Sequence, residues 1–243
     1  MTPRPRHPSR QAVLLDLDGT LIASRDGIIA CLRRALGELG HTLDAGADLD
    51  WVVGPPLPDI MARLLSEFGD DRVEAAVLAY RRNYEASGML DSPLFDGVAG
   101  FMQALAASGR RILLATSKPE HLARRILSMR GLIGHFHGCY GARPDDSGAE
   151  KPELIGRLIE AEAIDAAHSV MVGDRRFDIS GAHANSMRAV GALWGYGGRA
   201  ELEAAGADGL ADSPHTLLAE IERQLTRAAP HQGQARDPPE QLP

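Results

Sequence analysis

The residues best suited to chemistry lie near the N-terminus, in Asp16-Leu17-Asp18-Gly19-Thr20. The apolar run Ala12-Val13-Leu14-Leu15 leads directly into two acids separated by one residue. A short continuous apolar run reads as a strand buried on both faces, as in parallel sheets. Ligand sites in such sheets lie at the carboxyl ends of strands. Two carboxylates this close repel each other unless a cation or a proton intervenes. The pair therefore calls for a bound metal, a shared proton, or both.

Two other apolar runs end in polar groups. Arg111 to Ala115 runs into Thr116-Ser117-Lys118, and Ser169 to Val172 runs into Gly173-Asp174. Lys151 opens a helix at Lys151-Pro152-Glu153, with Pro152 suited to a first turn. If the strands are parallel, one sheet edge gathers carboxylates, hydroxyls and an ammonium. That is the equipment for an anionic substrate held with Mg²⁺, a hard cation that binds through one or two carboxylates plus substrate phosphate. A carboxylate can also be the nucleophile, through an aspartyl-phosphate. Asp16, at the strand end, suits that role. Asp18, two residues on, suits a general acid toward the leaving group and then a base toward water. Its backbone carbonyl is available as a further metal ligand. Thr116 and Lys151 can neutralise phosphoryl oxygens. Asp174, with Asp178 four residues on, can complete the metal shell.

The elements that must position these groups follow an α/β rhythm. Asp26–Gly40, Leu57–Phe68 and Asp71–Ser87 read as helices, joined through the rigid turn Trp51-Val52-Val53-Gly54-Pro55-Pro56-Leu57. A block of some 70 residues without a strand is too long for one crossover connection. It reads as a helical domain inserted after the first strand. A helix follows from Val98, with Asp96 as its N-cap. Strands at 111–115, 136–140, 169–172 and 189–194 then alternate with helices at 119–130, 152–163 and 179–186. Helices at 201–205 and 214–227 close the pattern. This alternation predicts a Rossmann-like parallel sheet with helices on both faces. The expected division is a core over 12–22 and 93–228, a cap over 23–92, a disordered arm over 1–11 and a disordered tail over 229–243.

Asp16-Leu17-Asp18-Gly19-Thr20, then Thr116, Lys151 and Gly173-Asp174-Arg175-Arg176-Phe177-Asp178, resembles the ordered four-motif signature of the haloacid dehalogenase-like hydrolase superfamily. The helical insert resembles its small cap. Gly54-Pro55-Pro56-Leu57, Thr116-Ser117-Lys118-Pro119 and Leu193-Trp194-Gly195-Tyr196-Gly197 resemble the phosphoglycolate phosphatase-like branch, which has 5′-nucleotidase-like members. The resemblance implies a Mg²⁺-dependent phosphatase. Its nucleophile would be Asp16 and its acid/base Asp18. Thr116, Ser117 and Lys151 would bind substrate, and Asp16, Asp18, Asp174 and Asp178 would hold metal.

Rival readings fail on particular residues. A calcium loop needs Gly and Glu where Leu21 and Gly27 stand. No Gly-x-x-x-x-Gly-Lys is present. Gly195-Tyr196-Gly197-Gly198 is not a dinucleotide fingerprint, and His135-Phe136-His137 lacks a second ligand pair for zinc. Within the superfamily, dehalogenases usually lack the second acid, and the phosphonate-cleaving branch needs a cap lysine that this chain does not have. The sugar phosphomutases keep both acids and a similar cap, and stay open, as does a non-catalytic binding protein on this fold.

Composition bounds the partners. The 243 residues carry a net charge of −7, so no broad basic surface awaits nucleic acid or anionic lipid. No apolar run approaches the roughly 18 residues of a membrane span. The two cysteines, Cys31 and Cys139, have no metal or redox spacing and read as free thiols in a reducing cytoplasm. The expected partner is a small phosphorylated metabolite, selected by Arg81, Arg82, Tyr84 and the 54–57 turn. The oligomeric state, monomer or homodimer, stays open. Of 26 basic residues only Lys118 and Lys151 are lysines. A compact point charge at those places is something a planar guanidinium cannot replace.

Overall fold

The four residues Val13, Leu15, Ala12 and Leu14 show how the chain is layered. They alternate along strand β1 (Ala12–Leu15) and are all buried. Val13 and Leu15 enter one apolar cluster, Ala12 and Leu14 the other, because successive strand side chains point to opposite faces. The structure, a computed structural model, describes residues 10–144 and 147–227. Residues 1–9 of the expected arm and all of the expected tail lie outside the described residues.

Six strands form one parallel sheet in the order β3-β2-β1-β4-β5-β6. The other strands are β2 (Arg111–Pro119), β3 (Gly138–Ala142), β4 (Val170–Gly173), β5 (Arg188–Ala192) and β6 (Gly209–Ala211). Helices α4 (Val98–Ala107), α5 (Glu120–Met129) and α9 (Pro214–Thr226) bury Phe101, Ile126 and Ile221 against one face. Helices α6 (Lys151–Glu162), α7 (Arg176–Ala184) and α8 (Gly198–Ala204) bury Leu158, Ile179 and Leu202 against the other. The chain winds outward from β1 through β2 to β3, then returns to the opposite side of β1 at β4. The crevice outside β1 and β4 is therefore the topological switch point, where open α/β sheets bind ligands.

Between β1 and α4 the described chain is helical, with α1 (Arg25–Glu38), α2 (Leu57–Ser66) and α3 (Val73–Ala86). Their buried faces, including Leu32, Leu36, Leu64 and Tyr84, continue the first cluster above the strand ends. The two chain passages into and out of this block pair with each other. Ile22 bridges Leu94 antiparallel, and the Ala23 N–H donates to the Pro93 carbonyl at 2.8 Å.

Several boundaries differ from those the sequence predicts. Asp96 is exposed and does not cap α4. The chain turns in at Gly97 instead, with φ +82°, where a Cβ would lie 2.8 Å from the His215 ring. Helix α7 begins at Arg176 rather than 179, and α8 at Gly198 rather than 201. Strand β3 is shifted to 138–142, and β6, three residues long, is not anticipated at all.

Candidate active site

Asp16 follows β1 directly. Its N–H donates to the Val172 carbonyl of β4 at 2.9 Å, which fixes it at the switch point. The chain then reverses around the Leu17 carbonyl, which accepts N–H bonds from Leu21 at 2.9 Å and Ile22 at 3.1 Å. Gly19 sits in that turn with φ +80°, and a Cβ there would lie 2.2 Å from Asp174 Oδ2. Only glycine satisfies both the backbone conformation and the approach.

Lys151, the first residue of α6, reaches into the crevice. Its ammonium donates to Asp16 Oδ1 at 2.7 Å and to the Ala115 carbonyl at 2.8 Å, and lies 2.6 Å from Asp178 Oδ1. Gly181 of α7 makes this possible, since a Cβ there would stand 2.6 Å from Lys151 Cβ. Burial opposes the ammonium, but Asp16 and Asp178 outweigh it and hold Lys151 above its ordinary range.

Asp174, one residue beyond β4, is fully buried. Its Oδ2 accepts the Tyr196 N–H at 2.7 Å and its Oδ1 the Thr20 hydroxyl at 3.4 Å. Asp178, in the first turn of α7, accepts the Arg175 N–H through Oδ2 at 3.1 Å. Burial raises Asp174 well above the usual carboxylate range, and Asp178 and Asp16 raise it further. Burial likewise pushes Asp16 up to about 7, with Lys151 opposing it.

These groups fit a divalent metal. Asp16, Asp174 and Asp178 each offer a carboxylate oxygen within 4.8 Å of the others. Asp178 Oδ1 is buried and faces the Lys151 ammonium at 2.6 Å. An all-oxygen donor set crowded with negative charge matches a hard cation such as Mg²⁺.

Asp18 is placed differently. Its Oδ2 pairs with the Lys118 ammonium at 2.9 Å, while Oδ1 is buried without a hydrogen-bond partner. Thr116 and Ser117 belong to the end of β2. Thr116 is buried, and its Oγ1 accepts the Lys118 N–H at 3.2 Å. The Ser117 hydroxyl donates to the Ala149 carbonyl at 2.8 Å. One cleft brings together Asp16, Asp18, Thr116, Ser117, Lys151 and Asp178, with Asp174 behind them. Its far wall comes from the helical block: Ile28, Leu32, Tyr80, Arg81, Tyr84 and the 52–57 turn. Arg82 does not join it. That side chain is exposed and pairs with Glu38 at 2.7 Å on the outer face of α1 and α3.

Sequence reasoning missed the contacts that close the site. Arg175 donates through Nε to Glu201 at 2.9 Å and through Nη1 to the Val53 carbonyl. Phe177 packs 3.4 Å from the Cβ position of Gly54. Trp194 Nε1 donates to the Thr20 carbonyl at 3.0 Å, and the Tyr196 hydroxyl accepts the Arg25 N–H at 3.1 Å. Backbone acceptors leave no trace in residue type, so the 54–57 turn was legible as a wall of the site but the Arg175 bond to the Val53 carbonyl beside it was not.

Comparison with known proteins agrees with this geometry. The sequence profile described as haloacid dehalogenase-like hydrolase matches residues 13–192. A 5′-nucleotidase of Pseudomonas aeruginosa is 35% identical over 201 residues, 82% of this chain and 88% of that one. Tyrosine-protein kinase PtkA of Mycobacterium tuberculosis is 37% identical over 189 residues, 78% of this chain but 64% of PtkA. A phosphoglycolate phosphatase of Cupriavidus necator is 32% identical over 212 residues, 86% of this chain and 91% of the relative. The crystal structure of a predicted phosphatase from Clostridium acetobutylicum superposes with a TM-score of 0.81 at 29% identity, covering 88% and 98% of the two chains. With the sheet order, the converging acids and a profile match over most of its length, the chain belongs to the haloacid dehalogenase-like hydrolase family.

Proposed function

We propose that the protein is a Mg²⁺-dependent phosphatase that hydrolyses a small phosphate monoester through an aspartyl-phosphate on Asp16. The observation that carries this reading is the meeting of Asp16, Asp174 and Asp178, the first and last of them paired with the Lys151 ammonium, with Asp18 beside them on the cleft side. Asp16, the Asp18 carbonyl and Asp174 would hold Mg²⁺, with Asp178 beside them. Bound there, Mg²⁺ supplies positive charge against phosphoryl oxygens.

In this reading an oxygen of Asp16 attacks phosphorus. The bond to the ester oxygen breaks, and Asp18 delivers a proton to that oxygen. Asp18 then takes a proton from water, which attacks the phosphorus and frees Asp16 and inorganic phosphate. Lys151 and the Thr116 hydroxyl neutralise the transferring group, and Ser117, tied to Ala149, holds the end of β2 in place. The helical block over 23–92 acts as a cap that covers the leaving group.

The substrate reading is phosphoglycolate phosphatase-like, supported by the Cupriavidus relative and the motif at 116–119. A 5′-nucleotidase is the second reading, favoured by the Pseudomonas relative and by the apolar and aromatic cap wall. Phosphate release from phosphoglycolate, 5′-nucleotides and hexose phosphates, with products identified, separates the two. Isomerised sugar phosphate without net phosphate would instead indicate a mutase. No turnover of any ester by folded, Mg²⁺-bound protein would overturn the enzyme reading.

A further inference from the structure

Lys118 is one of two lysines in a chain that otherwise uses arginine, and the chemistry above leaves it without a task. We propose that Lys118 is a positioning residue for Asp18: it grips one carboxylate oxygen and leaves the other aimed at the leaving-group oxygen. The inference rests on the acid/base role given to Asp18.

Three observations carry it. The Lys118 ammonium lies 2.9 Å from Asp18 Oδ2, with only 8% of its side chain exposed. Asp18 Oδ1 is buried in the cleft and has no hydrogen-bond partner. The ammonium is also seated 4.6 Å from the centroid of the Tyr84 ring, which stacks on Tyr80 of the same cap helix. Lys118 is therefore a link between the acid and the cap. The ring face attracts the cation, so the grip on Asp18 is complete when α3 is docked over the cleft.

The residue type follows from the geometry. A guanidinium is a planar fork that clasps both oxygens of a carboxylate. It would occupy Oδ1 as well as Oδ2. An ammonium is a point charge that can hold Oδ2 alone. Thus the second exception to arginine usage falls where a fork would block the oxygen needed for proton transfer.

The test is the dependence of kcat/KM on leaving group, which reports on the steps up to expulsion of the alcohol. p-Nitrophenolate departs without a proton, whereas an alkoxide needs one. With Mg²⁺ present, Lys118→Met should lower kcat/KM for a primary alkyl phosphate by about 10²-fold. The loss on p-nitrophenyl phosphate should be at least about tenfold smaller. Asp18→Asn should give the same split. Lys118→Arg, which keeps the charge in a chain that tolerates arginine, should show the split too. Equal losses on both esters, no loss, or full rescue by arginine would overturn the proposal. If Asp18→Asn shows no split while the wild type turns over, the role of Asp18 is wrong and the inference falls with it. If the wild type cleaves neither ester, the phosphatase reading itself has failed.

Discussion

Asp174 has no room to move. Gly19 and Gly195 press on it closely enough that a Cβ at either would stand 2.2 Å from its side chain. Replacing Gly19 by alanine must both strain a left-handed backbone and push into Asp174. We expect Gly19→Ala to cost about 1–3 kcal/mol of stability, measured by urea titration, and to weaken Mg²⁺ binding in calorimetry. The crowded acids also set a pH response. Asp16 is raised from its ordinary 3.8 to about 7, chiefly by burial. Such a group keeps its proton in the folded state after the unfolded chain has lost it. Its contribution to stability is full below about 4 and is lost as pH rises to about 7. Asp70 is shifted the other way by its bonds to Arg72 and His41, and its contribution is lost only in acid. Between pH 5 and 8 the buried acids govern. The metal-free protein should melt several degrees lower at pH 8 than at pH 5, and saturating Mg²⁺ should raise the melting temperature more at pH 8. A Mg²⁺ effect equal at both values would contradict this picture of the acids.

Among the elements, the junction of β4 and α7 that carries Asp174 and Asp178 also grips the helical block. Arg175 holds the Val53 carbonyl and Glu201, and Phe177 lies under Gly54. Removing the buried guanidinium takes the Arg175 donor from the Val53 carbonyl and one of two donors from Glu201, which keeps the Arg176 N–H at 2.8 Å. We expect Arg175→Ala to cost about 2 kcal/mol and to speed proteolysis within residues 51–56. It should raise KM for any ester whose leaving group the cap covers. Unchanged cleavage of that segment would show that the turn is held elsewhere. The elements themselves were largely legible. Strand β1, with four buried apolar residues, announces a two-sided strand, and the helices expected at 26–40, 57–68 and 71–87 stand at Arg25–Glu38, Leu57–Ser66 and Val73–Ala86. What periodicity could not carry were short or glycine-led elements. Strand β6 has three residues, and α8 opens on Gly197-Gly198, which reads as a turn. Asp96 looks like a helix cap, but Gly97 alone can make the close pass against His215.

Across the molecule, one cleft joins the sheet edge that carries the acids to the helical block between β1 and α4. The acids were legible because each ends an apolar run or follows one in a fixed order. Lys118 was legible as a compositional exception at a strand end, but nothing in the sequence places it against Asp18. Arg82 looked equivalent to its neighbour Arg81, yet one helical step turns it outward to Glu38. Among the described residues no helix is long and apolar enough to cross a membrane. In the proposed reaction phosphate passes covalently through Asp16. The most direct test is to mix the protein with Mg²⁺ and an ester that it turns over, quench in acid and reduce with borohydride, which converts an acyl phosphate of aspartate to homoserine. Peptide mass spectrometry should then find homoserine at position 16 and nowhere else, and Asp16→Asn should lose both this product and turnover, by at least about 10³-fold. Steady phosphate release with an unmodified Asp16, or with the product at another residue, would contradict the account.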